Sequence, residues 1–205
     1  MKTKISICLF DMGGVVARHS DSLIEKEILS ELGITGYDRL FDIDARLEAV
    51  MLKHSKGNST EQELWKEFTD ITKIEVPFYQ ESLWGKFFHP QLDTAMLLLI
   101  RELKEKGLRV VCATNTEPAH YAFHKNRGDY SVFNKVYSSV DLHEAKPDKE
   151  FFEKILSSEQ VPASEAFFTD DCPLNCASAK ALGVETFVFT GSVALRQHLN
   201  DIGIL

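Results

Sequence analysis

Residues 5–14 read Ile-Ser-Ile-Cys-Leu-Phe-Asp-Met-Gly-Gly. The first six form a short apolar run rich in strand-forming residues, and a carboxylate followed by Met and two glycines closes it. This pattern predicts a buried strand over 5–10 that is directly followed by Asp11. It would be the first strand of a sheet.

Strand and helix patterns alternate after residue 90. Short runs rich in β-branched and aromatic residues predict strands over 109–113, 136–139, 166–169 and 186–189. Apolar residues at helical spacing predict helices over 149–156 and 175–182. An earlier helix is expected to begin at Pro90, whose ring suits a first helical turn, and to end at Gly107. This alternation predicts an α/β fold with a doubly wound, Rossmann-like parallel sheet.

Residues 20–89 carry only helical periodicity. Ile24 and Ile28 are four residues apart with Gly33 as a stop, and Thr60 with Glu63 has the spacing of a capping box. The chain therefore leaves the sheet after its first strand and returns near residue 90. We expect an α/β core of residues 1–16 and 90–205, with a small all-helical domain, residues 17–89, inserted between its two parts.

Composition excludes several classes of function. The chain has 205 residues, with 31 acidic residues against 23 Lys and Arg, and a net charge of −8. This excess argues against a nucleic-acid surface, which needs a basic patch. The longest apolar run, Ala95–Ile100, is far shorter than the roughly 20 residues that span a bilayer. We expect a cytoplasmic protein with reduced cysteines that binds neither nucleic acid nor membrane.

Polar side chains follow four of the predicted strands. They are Asp11, Thr114-Asn115-Thr116, Lys146-Pro147-Asp148 and Asp170-Asp171. Each group alone is typical of a turn or a helix cap. In a parallel sheet, however, the carboxyl ends of the strands meet at one edge, where ligands bind. The four groups together therefore predict a charged site at that edge.

These motifs resemble those of the haloacid dehalogenase superfamily, which are mostly Mg²⁺-dependent phosphatases. The Thr-Asn-Thr, Lys-Pro-Asp and Asp-Asp-x-x-x-Asn forms look most like bacterial α-D-glucose-1-phosphate phosphatase and the N-terminal phosphatase domain of soluble epoxide hydrolase. The inserted helical domain resembles the small helical cap of this family. The resemblance implies a small phosphorylated metabolite as the substrate.

The resemblance also implies a role for each motif residue. Asp11 is expected to be the nucleophile and a metal ligand. The metal would be completed by the backbone carbonyl of Gly13 and by Asp171, with Asp170 in support. Lys146 is expected to act in catalysis and to bind phosphate together with Thr114 and Asn115. An oxygen-only ligand set suits Mg²⁺, and a carboxylate can form an activated phosphate ester that water readily hydrolyses.

Gly13 departs from the family pattern. Many family phosphatases have a second Asp there, which protonates the leaving group, a contribution of typically ~10²–10⁴-fold. His120, also a candidate for substrate binding, or His19 could replace it. Alternatively the leaving group needs little help, as with an anomeric sugar phosphate. A third reading is a catalytically silent protein that binds phosphorylated ligands.

The insertion is expected to select the substrate because it would close over the site. Its candidate polar contacts are Arg18, Arg39, Arg46, His54 and Lys66. Four of its aromatic side chains are expected to form its core in preference to a stacking platform for the substrate; they are Trp65, Trp84, Phe87 and Phe88.

Overall fold

The core of the protein is a five-stranded parallel sheet. The computed structural model describes residues 5–18, 21–77 and 80–205, with the backbone alone for Asp21 and Ser22. Its strands are β1 (Ile7–Phe10), β4 (Arg109–Thr114), β5 (Lys135–Ser138), β6 (Ala166–Asp170) and β7 (Glu185–Val188). Their order in the sheet is β5-β4-β1-β6-β7, and all neighbours are parallel. The predicted doubly wound fold is confirmed.

Helices cover both faces of this sheet. They are α6 (Thr94–Glu105), α7 (Pro118–Arg127), α8 (Ser139–Leu142), α9 (Lys149–Glu159), α10 (Pro173–Ala181) and α11 (Ser192–Asp201), with 3₁₀ turns over Asp129–Val132 and Ala163–Glu165. In β1, Cys8 and Phe10 pack against α6 and α11, whereas Ile7 and Leu9 pack against α9 and α10. Side chains of one strand alternate between faces, so the fully apolar run of β1 reflects burial on both sides.

The helical insertion has an apolar core of its own. It contains α1 (Asp21–Glu31), α2 (Leu40–Ile43), α3 (Leu47–Ser55), α4 (Glu61–Thr72) and α5 (Leu83–Lys86). Ile28, Phe68 and Trp84 are buried together in it. The predicted capping box begins α4, since the Thr60 side chain accepts from the Glu63 backbone N–H. The exact limits of the inserted domain stay a prediction.

A short two-stranded ribbon corrects the prediction for Pro90. β2 (Ala17–Arg18) pairs antiparallel with β3 (Gln91–Leu92), so the chain is extended after Pro90 instead of helical. The helix begins later because the side chain of Asp93 caps it, accepting from the backbone N–H groups of Ala95 and Met96. The ribbon joins the chain segment that leaves the sheet after β1 to the segment that returns to it before α6, at the base of the insertion.

The insertion is hydrogen-bonded to the sheet domain at the end of α3. Ser139 Oγ donates to the backbone oxygen of Ser55 at 2.6 Å. The Lys56 ammonium lies 3.0 Å from Asp148. These contacts hold the insertion over the carboxyl end of the sheet. Within the described part of the chain, no helix has the length and apolar character needed to cross a membrane.

Candidate active site

Three carboxylates lie together at the carboxyl end of the sheet. Asp11 follows β1, and its backbone N–H donates to the Thr169 oxygen of neighbouring β6 at 3.0 Å. Asp170 ends β6 and Asp171 follows it. One oxygen of each of the three side chains lies within 4.8 Å of the others. Adjacent parallel strands in register therefore bring together residues that are about 160 positions apart in sequence.

Lys146 lies between two of these carboxylates. Its Nζ is 2.8 Å from Asp11 Oδ1 and 2.6 Å from Asp170 Oδ2, and it donates to the backbone oxygen of Ala113 at 2.9 Å. Its side chain is only 1% exposed. A buried ammonium with three acceptors is fixed in place, which suits a group that must meet developing negative charge.

Asn115 holds the backbone of Lys146. Its Nδ2 donates to the Lys146 oxygen at 2.8 Å, and its Oδ1 accepts from the Lys146 N–H at 2.9 Å. The side-chain amide is therefore committed to positioning Lys146. Thr114, predicted with it as a phosphate ligand, is buried at the end of β4 and donates from Oγ1 to the Asn115 oxygen at 3.0 Å.

The two consecutive aspartates have different surroundings. Asp170 is fully buried and accepts from Lys146, from the Cys172 N–H at 2.8 Å and from Asn175 Nδ2 at 3.0 Å. Asp171 is exposed and packs against Gly14. Gly14 has φ +71°, and a Cβ on it would collide with Asp171 Oδ2. Asp170 therefore serves as a partner of Lys146, whereas Asp171 is exposed.

Charge in the site is unbalanced, because three carboxylates face one ammonium. Burial raises the pKa of Asp11 to about 7; Lys146 opposes this rise and Asp170 adds to it. Burial lowers the pKa of Lys146, but the carboxylates of Asp11 and Asp170 outweigh it and raise that pKa to about 12. A divalent cation would relieve the excess negative charge, and the oxygen donors present are those that Mg²⁺ prefers.

A cavity of about 200 Å³ extends from the strand ends toward the insertion. Gly13 and Thr114 from the strand ends line it together with Glu25, Trp84 and Tyr130. A larger groove of about 660 Å³ lies along α4, but none of the strand-end residues line it. We therefore assign the smaller cavity to the chemistry, since residues that follow or end β1 and β4 line it.

Of the two histidines predicted as possible proton donors, His120 is described by the structure and His19 is not. His120 lines the cavity, but its Nε2 donates to the backbone oxygen of Trp84 at 3.2 Å and its ring stacks on Phe88 at 3.8 Å between centroids. It thus joins α7 to the insertion. His19 lies outside the described residues.

The polar candidates of the insertion mostly do not reach the cavity. Arg18 pairs with Asp93, Arg46 with Asp44 and Lys66 with Asp70. His54 is buried, with its Nδ1 3.0 Å from the Ser59 oxygen. Arg39 does line the cavity. Sequence reasoning missed Glu25 and Tyr130, which look like an ordinary helix carboxylate and an ordinary core aromatic.

Two known phosphatases are similar to this chain over almost its whole length. The sesquiterpene phosphatase astK of Aspergillus oryzae is 31% identical over 208 residues, which covers 98% of this chain and 98% of that protein. D-ribitol-5-phosphate phosphatase of Bacteroides thetaiotaomicron is 28% identical over 210 residues, which covers 95% of this chain and 96% of that protein.

Solved structures and a family model agree with these relatives. A HAD family enzyme from Bacteroides thetaiotaomicron, in complex with magnesium and inorganic phosphate, is similar with a TM-score of 0.69 and 27% identity, covering 89% of this chain and 93% of that one. The family model for haloacid dehalogenase-like hydrolases matches residues 5–183. The prediction of an enzyme of this kind is confirmed, and the chain belongs to the haloacid dehalogenase-like hydrolases.

Proposed function

We propose that this hydrolase is a Mg²⁺-dependent phosphatase that acts on a small phosphomonoester through a phosphorylated Asp11. The observation that carries the proposal is the position of Lys146 Nζ, 2.8 Å from Asp11 and 2.6 Å from Asp170, with Asp171 in the same cluster. Phosphoryl transfer needs a nucleophile, fixed positive charge and a divalent cation at one point. The names of both curated relatives support this activity.

Asp11 would form and release the covalent intermediate. One of its carboxylate oxygens bonds to phosphorus while the bond from phosphorus to the ester oxygen breaks. The ester oxygen leaves with the electron pair and takes up a proton as the alcohol. Water then attacks the same phosphorus, the bond to Asp11 breaks, and inorganic phosphate and the free carboxylate result. This route divides one difficult displacement into two easier ones.

The remaining site residues orient the phosphoryl group. Lys146 supplies a fixed positive charge for the phosphoryl oxygens, and the end of β4 at Thr114 supplies polar groups beside it. Asp11, Asp171 and the backbone carbonyl of Gly13 would hold Mg²⁺, while Asp170 holds Lys146. When bound, the cation neutralises phosphoryl charge so that an anionic nucleophile can approach.

Gly13 sets the chemistry of the leaving group. It offers no side-chain acid, and the Nε2 of His120 is occupied by the Trp84 carbonyl. We therefore infer that leaving groups of low basicity, such as the anomeric oxygen of a sugar phosphate, depart faster than primary alcohols, which this site still releases but at a lower rate. The proton on the departing alcohol then comes from water.

The test is hydrolysis of p-nitrophenyl phosphate and a panel of sugar and polyol phosphates. We expect turnover with Mg²⁺, none in EDTA, and a loss of at least about 10⁴-fold in Asp11→Asn, as for other nucleophile deletions. Asp38→Asn, a surface aspartate paired with Lys26, is the matched control and should keep full activity. Persistent turnover in EDTA or in Asp11→Asn would contradict the mechanism.

Gly13 also favours a second candidate, a silent protein that binds phosphorylated ligands. Calorimetry with the same panel separates the two functions: micromolar binding with no phosphate release over hours would favour the silent protein. The hydrolysis rate of the variant Gly13→Asp then tests whether another group supplies the proton. A large gain in rate would show that no other group supplies the proton.

A further inference from the structure

Two buried polar atoms of side chains that line the cavity have no hydrogen-bond partner among the described residues. They are Nε1 of Trp84 and the hydroxyl of Tyr130. Trp84 is 2% exposed and Tyr130 is 8% exposed. Both residues line the 200 Å³ cavity together with Gly13 and Thr114. Buried donors are almost always paired, so two in one cavity indicate that a ligand completes their hydrogen bonds.

Both side chains are held firmly in place. Trp84 belongs to the core of the insertion, and its carbonyl accepts from His120. Tyr130 follows Asp129, whose carboxylate accepts from Arg127 at 2.8 Å and lies 2.6 Å from His124 Nδ1. The tyrosine ring also packs against the His124 ring, with 5.4 Å between centroids. The unpaired atoms are therefore fixed features of the wall.

The chemistry of the wall matches hydroxyl groups. An indole N–H can only donate, a phenol can donate or accept, and the carboxylate of Glu25, which also lines the cavity, can only accept. Alcohol hydroxyls satisfy all three kinds of partner. An apolar group would cover the Trp84 and Tyr130 atoms and leave them without partners, which is unfavourable.

The size of the cavity limits the ligand. At about 200 Å³ it is smaller than the roughly 300–1,000 Å³ of pockets that hold drug-sized ligands. A volume of this size suits a leaving group of a few carbons. Similarity to the relatives does not decide this point, because one is named for a sesquiterpene and the other for ribitol 5-phosphate, at similar identity.

We propose that Trp84 and Tyr130 determine specificity by binding hydroxyl groups of the substrate, which is the phosphate of a small polyhydroxylated alcohol. The proposal rests on the phosphatase function proposed above. It adds two residues, one from α5 and one from the 3₁₀ turn after α7, that contact the part of the substrate beyond the phosphate.

The experiment compares two five-carbon phosphates, D-ribitol 5-phosphate and n-pentyl phosphate, which differ in their hydroxyl groups. We expect the wild-type enzyme with Mg²⁺ to have at least tenfold higher kcat/KM for the ribitol compound. Tyr130→Phe removes one oxygen and should lower that value 10–100-fold, mainly through KM, while changing the value for pentyl phosphate less than threefold. Trp84→Phe should act in the same direction.

Matched controls separate this role from a structural one. Tyr137→Phe removes a hydroxyl that bonds Ser158 and Glu159, and Trp65→Phe removes an N–H that bonds Glu61. Neither residue lines the cavity, so both variants should keep the substrate preference. A wild-type preference for pentyl phosphate, or equal losses on both substrates in Tyr130→Phe, would overturn the proposal.

The proposal is also tested if the protein does not turn over phosphates at all. Calorimetry then measures binding of the same two compounds to the wild-type protein with Mg²⁺. Tighter binding of ribitol 5-phosphate, lost in Tyr130→Phe, would support the role of these residues even though the phosphatase function had failed. Equal binding of both compounds would overturn it.

Discussion

Two groups of residues are built in opposite ways: the strand-end cluster of Asp11, Lys146 and Asp170, called the phosphate end, and the cavity-lining pair Trp84 and Tyr130, called the selecting end. At the phosphate end, Lys146 and Asp170 have all their charged atoms in hydrogen bonds or ion pairs. At the other end, Trp84 and Tyr130 each hold a buried polar atom without a partner. The first end is organised before any ligand arrives, which is what electrostatic catalysis requires. The second is complete only with a ligand, which is what selection requires.

Lys146→Met gives the sharpest test of this difference. We expect kcat to fall about 10²–10³-fold on every substrate, because a fixed positive charge at the phosphate is lost whatever the alcohol is. In EDTA the variant should also lose about 3–5 kcal/mol of unfolding free energy, since Asp11 and Asp170 stay buried without their cation. Steady-state kinetics on polyol and alkyl phosphates and urea unfolding measure the two effects.

Lys149→Met is the control for that variant. Lys149 is 61% exposed and its ion pair with Glu153 is 3.8 Å long, so its loss should change stability by less than about 1 kcal/mol. If Lys146→Met changed the ratio of polyol to alkyl phosphate activity, the division of the site into a phosphate end and a selecting end would be wrong.

The phosphate end was predictable from sequence because topology places it. Asp11, Thr114 and Asp170 each follow or end a strand of one parallel sheet, so local patterns are sufficient to bring them to a common edge. The details were not predictable. The use of the Asn115 amide to hold the Lys146 backbone depends on the path of a loop, which strand patterns do not fix.

The selecting end was not predictable for a physical reason. Trp84 comes from a one-turn helix in the insertion, and Tyr130 comes from a 3₁₀ turn after α7. They line the same cavity through tertiary packing alone, with no shared periodicity. The prediction that Trp84 belongs to the insertion's core was sound for its ring, but it could not show that Nε1 lacks a partner. The ribbon after Pro90 was missed because its two residue pairs are too short to show alternation.

A second prediction concerns the excess of negative charge at the phosphate end. Burial raises the pKa of Asp11 from 3.8 to about 7. In metal-free protein, between pH 4 and 7, the folded state therefore holds a proton that the unfolded state has released. Stability from this group is fully present below pH 3.8 and is lost as the pH rises through 7.

Unfolding of the wild type and Asp11→Asn in EDTA isolates this effect, since the amide does not titrate. We expect the stability of the wild type relative to the variant to fall by about 2 kcal/mol from pH 5 to pH 7, within the limit of ~1.4 kcal/mol per pH unit for one proton. Saturating Mg²⁺ should remove the slope by favouring the carboxylate. A constant difference in EDTA would mean that Lys146 keeps Asp11 ionised throughout, and the phosphate end would then be balanced without a cation.

Gly14→Ala is expected to have the smallest effect, and it acts on the phosphate end alone. Gly14 and Gly33 both have φ +71°, but a Cβ would collide with Asp171 at Gly14 and would meet nothing within 4 Å at Gly33. Gly33→Ala therefore carries only the backbone strain, roughly 1–2 kcal/mol. Gly14→Ala adds a displaced Asp171, so we expect Mg²⁺ affinity to weaken about tenfold, as when groups that orient a metal ligand are altered. Titration of Mg²⁺ by calorimetry measures this directly.

Substrate preference should stay unchanged in both variants, because neither glycine lines the cavity. Equal Mg²⁺ affinities in the two variants would remove Asp171 from the metal site.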